Sequence, residues 1–201
     1  MLDQDKTLCT EIKKTRARYI VEKQQGYGAA LTRGFREAIG ELLVSCEPDG
    51  TYTAHDLDRL LVHSSMFSVV FGTRTCRGFI NPSANMRFFR RTANLFVAKL
   101  LVYFLRGPAL TDVGCSYTLL HRGAYETIKE ALTNKESLCW VEIIMRTLQY
   151  KVHYTEIPVH YLPRIGESKI SGRTMPGITL GLRIILFIVT QRFFPSKKHY
   201  V

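Results

Sequence analysis

No stretch of this 201-residue chain is apolar over the roughly 20 residues that a bilayer span needs. The nearest approach, Ile178–Phe194, is interrupted by Arg183, Gln191 and Arg192, and its longest unbroken apolar piece is Ile184–Val189. The start, Met1-Leu2-Asp3-Gln4-Asp5, lacks the basic and apolar regions of a secretory leader. Cysteine is sparse: Cys9, Cys46, Cys76, Cys115 and Cys139 are odd in number and scattered. None has CxxC or Cys/His ligand spacing, so a reducing compartment without structural zinc is expected. Internal repeats and low-complexity tracts are missing too. Acids are few, with Asp+Glu 17 against Lys+Arg 28 and a net charge of +11. That imbalance implies an anionic partner. The 46% hydrophobic and 22% charged content is that of a folded chain, which excludes wholesale disorder.

Short β-branched runs alternate with helical patterns, the signature of an α/β sheet. Helices are expected over Thr7–Lys14, from an opening at Gly26-Tyr27-Gly28 to about Ala38, and over Ala54–His63, Phe88–Leu105, Ala124–Leu132 and Glu136–Leu148. Strands are expected at Ala17–Glu22, Leu42–Cys46, Ser68–Gly72, Tyr117–His121 and Val152–Ile157, mostly parallel. Pro163–Arg173 is rich in Gly, Ser, Lys and Arg and reads as a loop. Pro176 or Gly177 then opens a last helix that Pro195 ends. From Arg59 to Thr111 the chain has no acid, yet it carries Arg59, Arg74, Arg77, Arg87, Arg90, Arg91, Lys99 and Arg106.

Glu47-Pro48-Asp49-Gly50 follows the strand at Leu42–Cys46 directly. Two carboxylates separated by one residue, at the carboxyl end of a strand, stand where α/β sheets bind ligands. In a tight turn both can aim oxygens at one hard cation, Mg²⁺ or Mn²⁺, alongside substrate phosphates; the alternative is an ordinary acidic turn. Gln25-Gly26-Tyr27-Gly28-Ala29-Ala30 allows close approach of backbone or ligand, with packing the blander role. Phe71-Gly72-Thr73-Arg74 puts an arginine at a strand end, able to meet phosphate oxygens or simply solvated. Asp112, in Thr111–Ser116, can act as a base or cap the next element. The loop Pro163–Lys169 can close over a pyrophosphate or remain a solvated basic turn.

In this order and at these spacings the set resembles the family 2 glycosyltransferases of the GT-A fold, above all the polyprenyl-phosphate sugar transferases of the dolichyl-phosphate mannose synthase group. The likeness runs from about Asp3 to Phe194. Gly26 and Gly28 lie in its glycine motif. Glu47 and Asp49 stand at its DxD position, with Glu replacing the first Asp and Thr51 where many relatives have Gln. Arg74 fits its strand-end Gly-x-Arg, Asp112 its Asp-x-x-Gly/Cys loop, and Arg164, Ser168 and Lys169 its R-x-G-x-S-K loop. The resemblance implies inverting, Mg²⁺- or Mn²⁺-dependent transfer from a nucleotide-sugar donor to a polyprenyl-phosphate or similar lipid acceptor. Glu47 and Asp49 would hold the metal, and Arg164, Ser168 and Lys169 the donor pyrophosphate beside the donor-site glycines Gly26 and Gly28. Arg74, Arg87, Arg90 and Arg91 would take the acceptor phosphate, with Asp112 as base or loop-shaper.

The resemblance also implies that the family's first βα unit, which holds the nucleobase, is missing from a domain spanning 1–173. The basic tail from Arg146 to Val201 has nine Lys/Arg against Glu156 and Glu167, a balance of +7. Its helix and tail, 174–201, suit an anionic membrane surface at the cytoplasmic face, or pack on the core. A non-catalytic remnant or regulatory partner is the alternative function. No nucleic acid is expected as a partner, because the cations sit at strand ends and in an apolar helix without a recognition motif.

Overall fold

The computed structural model describes residues 15, 17–84, 86, 88–165 and 174–193. Helix α1 (Tyr27–Glu37) leads to strand β1 (Leu42–Ser45), helix α2 (Asp56–Ser64) and strand β2 (Val69–Thr73). A 3-10 turn (Arg77–Phe79) and the long helix α3 (Phe88–Leu105) come next, then strand β3 (Thr118–His121) and helix α4 (Arg122–Ile128), which closes in a second 3-10 turn (Lys129–Ala131). Helix α5 (Cys139–Gln149), strand β4 (Tyr154–Pro158) and helix α6 (Thr174–Phe193) complete the order. The helix expected over Thr7–Lys14 lies outside the described residues. Ala17–Glu22 is not a strand: it runs as exposed chain without a sheet partner. Its β-branched residues carry the propensity, but strand formation depends on a neighbour to bury them.

The sheet order is β1-β3-β2-β4. β3 runs antiparallel to both neighbours (Val44↔Leu119, Val70↔Leu119), and only β2 and β4 pair in parallel (Val70↔Thr155). The sheet is therefore mixed, and the expectation of mostly parallel pairing holds only for β2–β4. The reason lies in where the chain enters β3. The preceding loop is pinned at the end of β2 by Asp112 on Arg74, so the strand must start there and run back. β1, β2 and β4 still share one direction, which gathers their carboxyl ends on one edge.

Apolar residues alternate across the sheet as a two-sided burial requires. On one face Leu43, Val69, Phe71 and Leu120 pack with Phe35 of α1, Leu101 of α3, Ile128 of α4, Trp140 and Met145 of α5 and Ile188 of α6. On the other, Val70, Leu119 and Ile157 meet Leu60 of α2. β2, in the middle, is buried at every position. Asp56 and Asp58 in the first turn of α2 suit its positive end. α6 packs along α3; Ile188 is fully buried while Leu182 and Leu186 are each 64% exposed.

Candidate functional site

Two carboxylate centres form on the carboxyl edge. The first is the turn after β1. Gly50 takes φ +76, a left-handed conformation that favours glycine, and Ile165 packs against it. The turn thereby folds back so that Asp49 Oδ1 accepts from the Thr51 amide at 3.0 Å and from its hydroxyl at 2.5 Å. Arg164 Nη2 lies 2.9 Å from Glu47 Oε2 and 2.6 Å from Asp49 Oδ2. Main-chain bonds from Ile165 to Asp49 and from Leu162 to Thr51 hold the segment there. Asp49 Oδ2 is nevertheless buried without a directed hydrogen bond among the described residues, its contact with Arg164 being an ion pair alone. Burial raises the Asp49 carboxyl, but the Thr51 bonds and the Arg164 charge outweigh it and hold it below the usual carboxylate range.

A buried oxygen short of a partner, next to a second carboxylate, fits a divalent ion. Glu47 and Asp49 are the residues that would hold Mg²⁺ or Mn²⁺. No third Asp, Glu, His or Cys joins them in a ligand cluster among the described residues. The remaining ligands would be water or phosphate oxygens, the usual pattern for Mg²⁺.

The second centre is the Asp112–Arg74 pair. Asp112 is 1% exposed and accepts from Arg74 Nε and Nη2, both at 2.8 Å, and from the Arg74 amide at 3.0 Å. Asn94 Nδ2 at 2.6 Å and the Gly114 amide at 2.9 Å also donate to it. Burial pushes its carboxyl up, but the Arg74 charge and these donors overcome that and hold it at about 2. A carboxylate so saturated is a poor proton acceptor near neutrality. It is arranged to orient Arg74, whose guanidinium also lies 5.5 Å from the Tyr161 ring.

Tyr52 joins the centres. Its ring contacts Tyr117 at 5.2 Å and Tyr161 at 6.2 Å, and its hydroxyl accepts from the Ser116 amide and hydroxyl at 3.4 and 3.3 Å. Beside it, burial pushes the Cys115 thiol up to about 12, which leaves it unreactive. Behind Asp112, Glu156 of β4 accepts from the Thr111 amide and hydroxyl and from the Asp112 amide at 2.7–3.0 Å, fastening the loop to the sheet.

Of the residues expected from sequence, Glu47, Asp49 and Arg164 meet at one point and Arg74 meets Asp112. Arg91 Nε donates to the Thr75 carbonyl at 2.8 Å, close behind Arg74, and Arg90 follows Phe89 in the first turn of α3. Arg87, Ser168 and Lys169 lie outside the described residues. Gly26 and Gly28 press instead on the loop before α5: an added Cβ would stand 2.2 Å from the Lys135 carbonyl oxygen and 2.6 Å from that of Asn134. Tyr52, Asn94 and Glu156 were not singled out from sequence. Asn94 is a polar residue inside an apolar helix, and Glu156 is one of two acids in a basic tail; both oddities were available signals.

Over 153 residues, 76% of the chain, the sequence is 26% identical to the undecaprenyl-phosphate 4-deoxy-4-formamido-L-arabinose transferase of Salmonella paratyphi B, and equally to that of Salmonella newport. The match covers 43% of those proteins, so the chain spans less than half the length of these curated relatives. The fold aligns with glucosyl-3-phosphoglycerate synthase from Mycobacterium tuberculosis in complex with Mn²⁺, uridine diphosphate and phosphoglyceric acid, with a TM-score of 0.59 and 14% identity over 88% of this chain and 57% of that one. No protein-family model matches. The architecture is thus an α/β fold of the GT-A type. With the sequence likeness added, the chain is a relative of the family 2 glycosyltransferases.

Proposed function

We propose that the chain acts in inverting transfer of a sugar from a nucleotide-sugar donor to a polyprenyl-phosphate or similar lipid-phosphate acceptor at the cytoplasmic face of a membrane. The observation that carries this reading is the pairing of Glu47 with an Asp49 oxygen that is buried and, among the described residues, met only by the charge of Arg164, at the edge where three strands end. Glu47 and Asp49 would hold a divalent ion there, which when bound would supply positive charge to a leaving diphosphate; charge stabilisation of that kind is usually the largest catalytic contribution. Arg164, with Ser168 and Lys169 behind it in sequence, leaves the carboxylates for the pyrophosphate as the donor enters. Arg74, held by Asp112 and backed by Arg91, with Arg87 and Arg90 nearby in sequence, takes the acceptor phosphate. A phosphate monoester is already a nucleophile, so a saturated Asp112 suffices as the residue that orients Arg74. The relatives support the substrate classes by name: undecaprenyl phosphate in one set, uridine diphosphate with Mn²⁺ in the other.

A second reading is a non-catalytic relative or regulatory partner, and the seating of Arg164 on both Glu47 and Asp49, where a metal would bind, favours it. Calorimetric titration with uridine diphosphate, with and without Mn²⁺, tests the site. Mn²⁺-dependent binding abolished by Asp49→Asn supports the proposal, and metal-independent binding defeats it. Radiolabelled sugar transfer to undecaprenyl phosphate then separates an enzyme from a silent relative.

A further inference from the structure

Helix α3 carries more apolar surface than the core uses. Val97, Ala98 and Leu101 are buried against the rest of the protein, yet Phe89, Phe96 and Tyr103 are 65%, 60% and 78% exposed. A spacing of seven residues brings the three rings onto one stripe, two helical turns apart. Lys99, also exposed, lies three residues from Phe96 and four from Tyr103 and so runs alongside them, while Arg106, exposed too, follows the last residue of the helix. Three aromatic rings aligned on an exposed face call for a partner. No helix among the described residues is long and apolar enough to cross a membrane; exposed aromatic rings beside a lysine are the make-up of an element that lies on one.

Charge chooses the occupant. Between Arg59 and Thr111 there is no acid to offset the cations. In a symmetric pair of α3 faces Lys99 and Arg106 would meet their own copies, whereas an anionic headgroup layer supplies their counter-charge. The opposite side of the same helix reaches the second centre: Asn94 donates to Asp112 and Arg91 to the Thr75 carbonyl. Docking by the outer face therefore sets Arg74 one helix away from the lipid headgroups.

We propose that α3 is the membrane-contacting element, with Phe89, Phe96 and Tyr103 entering the acyl boundary and Lys99 and Arg106 at lipid phosphates. The link to an acceptor phosphate rests on the transferase reading above; membrane contact itself does not. The test is co-sedimentation of the full chain with vesicles of phosphatidylglycerol in phosphatidylcholine, and with phosphatidylcholine alone. The unaltered chain is expected to bind the anionic vesicles. F96S/Y103S is expected to lower the partition coefficient at least about tenfold. K99E/R106E is expected to abolish the preference for phosphatidylglycerol, and it touches no packing contact should the serines disturb the fold. The proposal is overturned if the unaltered chain ignores both vesicles, or if either variant partitions like it. It is equally overturned if F96S/Y103S merely turns a dimer into a monomer in sedimentation without lipid. The assay contains no nucleotide, so its failure leaves the metal site standing, and loss of Mn²⁺-dependent binding leaves α3 standing.

Discussion

The two carboxylate centres share one edge of the sheet and differ in how fully they are satisfied. Asp112 is buried and receives five hydrogen bonds from Arg74, Asn94 and Gly114. Asp49 receives two from Thr51, and its other oxygen meets only the partly exposed Arg164. A saturated buried ion pair has every term of its energy fixed within the fold, and losing one partner strands the other. An under-satisfied carboxylate leaves part of its capacity for something outside the chain. The difference separates architecture from ligand site more sharply than residue type, since both centres are an Asp beside an Arg.

The largest effect expected breaks that contrast from the saturated side. Asp112→Ala leaves Arg74 charged and largely buried, which costs about 3–5 kcal/mol and lowers the melting temperature by roughly 10 °C for a chain of this length. A melt within a degree or two of wild type would mean that the pair is as dispensable as a surface one. Glu47→Gln and Asp49→Asn should behave in the opposite way. Stability stays within about 0.5 kcal/mol, while Mn²⁺-dependent affinity for uridine diphosphate, read by calorimetry, falls about 100-fold, or about 2.7 kcal/mol. Equal stability loss in both sets would erase the distinction.

Much of this edge was legible in the residues. Glu47-Pro48-Asp49-Gly50 after an apolar strand marked the first centre because the turn residues and the strand end are local features. Helix α3 emerged with the bounds the sequence pattern implies, because eighteen residues of helical period have no competing structure. The Asp112–Arg74 pair was not legible: its members are 38 positions apart and meet only where the chain turns back into β3 at the end of β2. The same reversal hid the mixed sheet, for pairing direction is set by where a loop is anchored and not by strand composition. Ala17–Glu22 failed for a related reason, since propensity without a neighbouring strand forms nothing. Gly26 and Gly28 were ambiguous between ligand and packing, and only the nearness of Lys135 and Asn134 shows the close backbone contact they allow.

A pH series sharpens the comparison within the saturated centre. Burial, aided by the Asp112 charge, pushes the Glu156 carboxyl from 4.5 up to about 7, against the pull of its bonds from Thr111 and Asp112. A folded-state value above the unfolded one gives stability that is complete below about pH 4.5 and lost as pH rises through about 7. Discounted for its partial exposure, that amounts to about 2 kcal/mol. Asp112, held at about 2, acts in the reverse sense and loses its contribution only in strong acid, so it is silent across this window. Glu156→Gln can keep the bonds, its carbonyl accepting from the amides and its NH₂ donating to the Thr111 hydroxyl. Chemical denaturation at pH 5 and pH 8 should show the wild-type slope disappear in the variant, which is the more stable of the two at pH 8. A slope that persists in Glu156→Gln assigns the titration elsewhere.

Arg164, like the two carboxylates it meets, is expected to change stability little, and its sign on binding is the sharper probe. The guanidinium stands within 2.9 Å of both metal-site carboxylates, where a divalent ion would need to be, and with a side chain 36% exposed the pair contributes less than about 1 kcal/mol. Arg164→Ala should therefore melt close to wild type. It also removes the cation that competes for Glu47 and Asp49, so Mn²⁺ alone, followed by its electron paramagnetic resonance signal, should bind severalfold more tightly. Uridine diphosphate in the presence of Mn²⁺ should bind more weakly, because the same side chain no longer reaches the pyrophosphate. The two affinities moving apart identify Arg164 as a cation that trades one anionic partner for another. Both falling together would make it a structural clamp on the turn, and the first centre would then be as much architecture as the second.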